Sequence, residues 1–189
     1  MKVTRIESGA FSNCKGLNKV TIPESVTTIG GRAFSHCIKL TSLTMPEGVT
    51  TIGQYAFASS SGMKCITFPN SLTKIGYQLF DMTYGIETVV SKILNPSDIA
   101  YDVFNEDMLK NATLYVPTGT IDAYRSKKEW KKFVHIVEGL PASVTTLKNE
   151  EGKESKRYAL DGRTVKAPHK GIQIIKTNNG SIRKVIDNY

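Results

Sequence analysis

Residues 29–40 read IGGRAFSHCIKL, and the same skeleton recurs as IESGAFSNCKGL at 6–17, IGQYAFASSSGM at 52–63 and IGYQLFDMTYGI at 75–86. The spacing is 23 residues with no insertion or deletion. Ile6, Ile29, Ile52 and Ile75 fall in one column, Phe11, Phe34, Phe57 and Phe80 in the next, and Leu17, Leu40, Met63 and Ile86 in a third. Val20, Leu43, Ile66 and Val89 follow, then Ile22, Met45 and Phe68, then Pro23, Pro46 and Pro69, then Val26, Val49 and Leu72. A fixed period of this length is the signature of stacked coils.

One copy cannot fold by itself. About six apolar side chains contribute at most roughly 1.5–3 kcal/mol each on burial, whereas ordering the backbone costs about 1–2 kcal/mol per residue. Stacking places equivalent side chains in ladders about 4.7–4.9 Å apart, so that each coil covers the apolar edge of the next. Within a coil, Val20 and Ile22 alternate with Lys19 and Thr21, the period of a half-buried strand. Pro23, which has no amide proton to donate to a ladder, ends it. A second extended stretch follows in VTTI, closed by Gly30, and AFSNCKGL suits one helical turn or a compact loop with its Phe pointing inward.

The pattern I-x(4)-F-x(5)-L-x(2)-V-x-I-P-x(2)-V-x(2)-I-G over residues 6 to about 90 resembles the BspA-like, or Treponema-type, bacterial surface leucine-rich repeats. The resemblance implies an α/β-type repeat solenoid, a right-handed coil with short strands, short helical turns and one strand of each coil on a concave face. It also implies a secreted or cell-surface protein, adhesin-like and non-enzymatic, that binds an extracellular protein such as a host matrix component. The alternatives are a structural spacer or sorting module of a larger surface protein, or a carbohydrate-binding module.

Beyond residue 90 the period loosens. AYDVF carries Phe104, and LYVP at 114–117 echoes the V-x-I-P strand, so 91–117 reads as a last, irregular coil. TGTIDAYRSKKEWKKF then has the charge order of a capping helix, with Thr118 or Thr120 as N-cap, Asp122 in the first turn and Lys131 and Lys132 near the end. Its apolar face would be Ile121, Tyr124, Trp130 and Phe133, and this ending resembles that of repeat arrays in Bacteroides-type bacteria. Gly139-Leu140-Pro141 marks a boundary, dividing a solenoid over 1–138 from a small β-unit over 139–189. In the latter, Asp161-Gly162 and Asn179-Gly180 are hairpin signals between strand-like runs. Its LDGR and KGI stretches resemble the short C-terminal domains of exported Bacteroidetes proteins, some of which are sorting signals.

Composition sets the remaining bounds. The net charge of +8 is spread thin: eight basic against five acidic side chains over 1–91, seven against seven over 92–138, and ten against five over 139–189. Lys127, Lys128, Lys131 and Lys132 read as a solvated helix face, and no groove helix or aromatic platform signature points to nucleic acid. No stretch reaches the roughly 18 apolar residues of a membrane span. Met1-Lys2-Val3-Thr4 is not a signal peptide, and the chain opens inside a repeat, so further coils and an export signal are expected upstream. A monomer is expected.

Catalysis finds no support. His36, His135 and His169 belong to three separate regions, and an adjacent His36-Cys37 pair points to opposite sides of an extended backbone, poor geometry for a nucleophile and its base. No GxSxG, HExxH, P-loop or Rossmann motif occurs, and no cofactor or metal is implied. Glu24 and Glu47 read as turn residues. Cys14 and Cys37 share a column and read as small buried thiols, while Cys65 falls on an outward strand position. The candidate partner-binding surface is therefore the outward strand rows: Asn18, Thr41, Lys64 and Glu87; Lys19, Ser42 and Thr88; Thr21, Thr44 and Thr67. Several such rows suffice for the about 800 Å² per side of a protein interface.

Overall fold

The computed structural model describes residues 2–139 and 141 and, beyond these, the strands of the C-terminal region. The chain divides into two compact units, Met1–Leu140 and Pro141–Tyr189. In the first, the strands run β1 (Arg5–Ile6), β2 (Thr28–Ile29), β3 (Ser42–Thr44), β4 (Thr51–Ile52), β5 (Cys65–Phe68), β6 (Lys74–Ile75) and β7 (Thr88–Ser91). Helix α1 (Glu106–Asn111), β8 (Thr113–Val116), α2 (Ile121–Arg125) and β9 (His135–Glu138) complete it. The coils thus feed two parallel sheets, a narrow one ordered β1-β2-β4-β6 and a broad one ordered β3-β5-β7-β8-β9. Ile29 faces Ile52 and Ile52 faces Ile75 in the narrow sheet, while Leu43, Ile66, Val89 and Leu114 are successive partners in the broad one. This is a leucine-rich-repeat solenoid.

The apolar columns form its core. Phe11, Phe34, Phe57 and Phe80 stack with centroids 5.2, 5.8 and 5.7 Å apart, and Phe104 continues the pile at 6.2 Å. Phe34, Phe57 and Phe80 are fully buried. Phe11 departs from the inward expectation, being 37% exposed, because only one face of its ring has a neighbour. The first coil differs in a second way: residues 19–22, expected as a strand, are not paired as one, and the broad sheet begins with β3.

Close approach between coils explains the glycine column. A Cβ on Gly53 would sit 2.4 Å from the Gly31 backbone nitrogen, and one on Gly76 2.3 Å from that of Gln54. Of the two expectations for the segment that follows, one helical turn or a compact loop, the structure has the loop, built from consecutive turns. Gly9, Arg32, Tyr55, Gln78 and Asp102 have φ of 70°, 56°, 57°, 48° and 53°, and Asn13, His36, Ser59 and Met82 have φ of 62°, 58°, 56° and 51°. Two left-handed residues per coil bend the chain twice, and helix first occurs, among the described residues, at α1. There Asn105 is the N-cap: its Oδ1 accepts from Met108 N at 3.0 Å, and its amide also donates to Phe80 O and Thr83 O.

The expected capping helix over 118–133 is two pieces, α2 and a 3-10 turn at Trp130–Lys132. The break lets Trp130 reach the core, with its ring 5.2 Å from both Tyr124 and Phe104 and 6.3 Å from Phe68. Phe133 closes on Phe104 at 4.8 Å. The Tyr124 hydroxyl donates to Ile93 O at 2.8 Å and accepts from Ser91 Oγ at 2.5 Å, and burial raises its pKa above the usual phenol range. Strand β9 then pairs with β8 and ends the broad sheet.

The second unit holds β10 (Glu154–Ala159), β11 (Thr164–Val165), β12 (Gly171–Thr177) and β13 (Ile182–Asp187) in one antiparallel sheet ordered β11-β10-β12-β13. The turn signals Asp161-Gly162 and Asn179-Gly180, and His169, lie outside the described residues.

Candidate binding surface

The broad sheet carries the outward rows. Asn18, Thr41, Lys64 and Glu87 are exposed, and their backbone is tied coil to coil: Lys64 N donates to Thr41 O at 2.7 Å and Glu87 N to Lys64 O at 2.9 Å. Lys64 Nζ lies 3.4 Å from Glu87 Oε1 and donates to Gly85 O at 3.1 Å, so this pair is partly self-satisfied. Both partners are largely exposed, and such pairs are worth about 0–1 kcal/mol. In the second row Lys19 and Ser42 are exposed, with Cys65 and Thr88 half-buried. In the third, Thr21 and Thr44 are exposed.

Thr67 is a correction. It is 1% exposed and Val90 is fully buried, so neither belongs to an accessible face. Both stand mid-sheet: Thr67 pairs with Thr44 and Val90, and Val90 with Thr67 and Tyr115. From Ile66 to Phe68 in β5 and from Val89 to Ser91 in β7, successive side chains are all buried, so both faces of the sheet are covered there. The strand face therefore comprises Asn18, Lys19, Thr21, Thr41, Ser42, Thr44, Lys64 and Glu87, with Thr88 at half-depth.

The cysteines are free thiols. Cys37 Sγ donates to Phe11 O at 3.2 Å, and burial first, with the neighbouring Cys14 second, raises its pKa. Cys65, half-buried, is also raised by burial. His36 sits in a left-handed turn and is exposed while Cys37 is buried, so the two do not converge. Among the described residues no group of three or more His, Cys, Asp or Glu is placed to hold a metal ion, and no helix is long and apolar enough to cross a membrane.

A second feature, partly exposed, lies on the turns and not on the strands. In the left-handed turns the Arg32 guanidinium lies 5.0 Å over the Tyr55 ring, Tyr55 meets Tyr77 edge-on at 5.4 Å, and Tyr77 stacks on Tyr101 at 6.1 Å and 10°. These residues occupy two adjacent columns: Arg32 and Tyr55 stand two places before their core Phe, and Tyr77 and Tyr101 three places before theirs, so neither column carries the whole row. Only reading the two columns together reveals the row.

The fold and its outward strand rows define a leucine-rich-repeat protein with an open display surface. The chain belongs to the BspA-type leucine-rich repeat family, whose model matches residues 1–113 in 6 copies. Similar solved structures include a leucine-rich repeat protein from Bacteroides ovatus, 32% identical over 46% of this chain and 23% of that one, with TM-score 0.45. A T. pallidum leucine-rich repeat protein is 23% identical over 65% of this chain and 71% of that one, with TM-score 0.40. A leucine-rich cell surface protein from Faecalibacterium prausnitzii is 19% identical over 95% and 48%, with TM-score 0.38. The chain thus spans under a quarter of the length of the Bacteroides protein. Comparison with curated proteins finds no match.

Proposed function

We propose that this is a non-enzymatic, secreted or surface-displayed binding protein that recognises an extracellular protein through its broad-sheet face. The observation that carries the reading is the register of β3, β5 and β7, which lines up Thr41 with Lys64 and Glu87, and Ser42 with Cys65 and Thr88, on a hydrogen-bonded frame. Short hydroxyls on fixed backbone lose little conformational entropy on contact, so more of the interaction energy survives as affinity. Membership of a bacterial surface-repeat family supports the extracellular setting. The test is capture from an immobilised panel of extracellular matrix proteins by the full chain and by Ser42→Arg/Thr44→Arg. Wild-type capture that the double variant loses, with its melting temperature retained, supports the reading; equal capture by both overturns it.

A further inference from the structure

We infer that the tyrosine row on the turn side of the solenoid is a second, independent site, one that binds a neutral carbohydrate chain. Tyr101 ends the row. One face of its ring is covered by Tyr77, yet the residue is 64% exposed, so the opposite face is open to solvent. An aromatic face carries a negative quadrupole and attracts C–H groups. A hexose supplies a face of axial C–H bonds and a rim of hydroxyls.

Groups suited to that rim lie in the same two columns. The exposed side chains of Arg32, Gln54 and Asp102 have no hydrogen-bond or ion-pair partner among the described residues. The Tyr55 hydroxyl donates to Gln78 Oε1, which turns the Gln78 amide into a fixed donor. An amide supplies both donor and acceptor, a guanidinium donors only and a carboxylate acceptors only, so together they match hydroxyls of either polarity.

The frame is set before any ligand arrives. Arg32 N donates to Gln54 O at 3.0 Å, Tyr55 N to Tyr77 O at 3.4 Å and Gln78 N to Asp102 O at 3.0 Å, tying the turns of successive coils together. Arg32 and Asp102 leave the row with no net charge, so it has no overall bias toward a polyanion. A single sugar chain needs only one open ring face and a few hydroxyl partners.

The experiment is a glycan array of neutral α- and β-linked hexose, pentose and N-acetylhexosamine oligosaccharides, with heparin as the polyanion control. Hits are measured by titration calorimetry on the full chain. The expected result is binding to one or more neutral glycans, weakened about tenfold by Tyr101→Ala, the loss of one good aromatic contact. Tyr101→Phe, which keeps the ring face, retains most of the affinity. Ser42→Arg/Thr44→Arg leaves glycan binding unchanged, which separates this site from the strand face. No neutral hit, a heparin-only response, or equal binding by wild type and Tyr101→Ala overturns the inference. Because Tyr101 is largely exposed, an unchanged melting temperature identifies a loss in Tyr101→Ala as loss of contact and not of fold; a lowered one makes the glycan response of Tyr101→Phe decide, and failure of that variant to bind overturns the site.

Discussion

Ser60 Oγ donates a hydrogen bond to the carbonyl oxygen of Phe34, 2.8 Å away and one coil back. The same position in neighbouring coils does the same work with different chemistry, Cys37 Sγ to Phe11 O at 3.2 Å and Thr83 Oγ1 to Phe57 O at 2.7 Å, while Asn105, one place after Phe104 instead of three, donates its Nδ2 to Phe80 O at 3.0 Å. Each core Phe carbonyl thereby has a partner from the next coil. Ser60 N in turn donates to Thr83 Oγ1 at 3.2 Å, and Cys37 N to Ser60 Oγ at 3.2 Å, linking the coils in series.

Ser60→Ala leaves the Phe34 carbonyl buried without its donor and should destabilise the fold by about 1–3 kcal/mol. Ser60→Cys, which restores the chemistry of Cys37, should recover part of the loss. Urea denaturation of the three proteins checks this, and an alanine variant as stable as wild type contradicts it.

Phe34 has ring neighbours on both sides and is fully buried, so Phe34→Ala should cost about 3–5 kcal/mol. Phe11, at 37% exposure, should lose clearly less on the same change. Equilibrium unfolding of the pair tests the ordering; equal losses would mean that the stack does not end as described.

Gly53→Ala puts a Cβ 2.4 Å from backbone nitrogen, and backbone cannot swing aside as a side chain can. A loss beyond about 2 kcal/mol, at the upper end of ordinary substitutions, is expected. Gly16→Ala, where a Cβ would meet nothing within 4 Å, should be close to neutral. Thermal melts of the two variants compare them directly.

Asp107 accepts from Gly85 N at 2.9 Å and from Asn111 Nδ2 at 2.8 Å. These bonds, the Gly85 amide foremost and Lys64 adding to them, lower its pKa. A carboxylate with a depressed folded pKa contributes stability above its unfolded value, about 3.9, and loses it as pH falls through the lower folded value. Asp107→Asn should therefore be less stable than wild type at pH 7, with the gap narrowing below about pH 4. Urea midpoints at pH 7, 4 and 3 decide; a gap constant with pH removes the carboxylate from the account.

The coil stack was readable because identical residue types recur in register: Phe34, Phe57 and Phe80 announce their own alignment. What does not recur by type was hidden. Arg32, Tyr55, Gln78 and Asp102 share a left-handed backbone, but nothing in their chemistry signals it, so the sequence does not decide between a helical turn and a compact loop there. The tyrosine row shifts between two columns, Tyr55 two places before Phe57 but Tyr77 and Tyr101 three places before Phe80 and Phe104, so neither column shows all of it. Thr67 carries a polar side chain at an outward position, and nothing in its chemistry signals that both faces of β5 are buried there. The capping segment has a helix's charge order along 120–132, but the aromatic cluster of Phe68, Phe104 and Tyr124 draws Trp130 inward and interrupts it. Helix α1 does carry a signal in the sequence, Asn105 followed by Glu106, Asp107 and Lys110.

Hydrogen exchange of the full chain, alone and with a captured extracellular protein, tests most directly whether the broad-sheet face does the binding. Slowed exchange confined to residues 41–45, 64–68 and 87–91 is the outcome expected. Slowing confined to the turns around Arg32, Tyr55 and Gln78, with the strand rows unaffected, would contradict it.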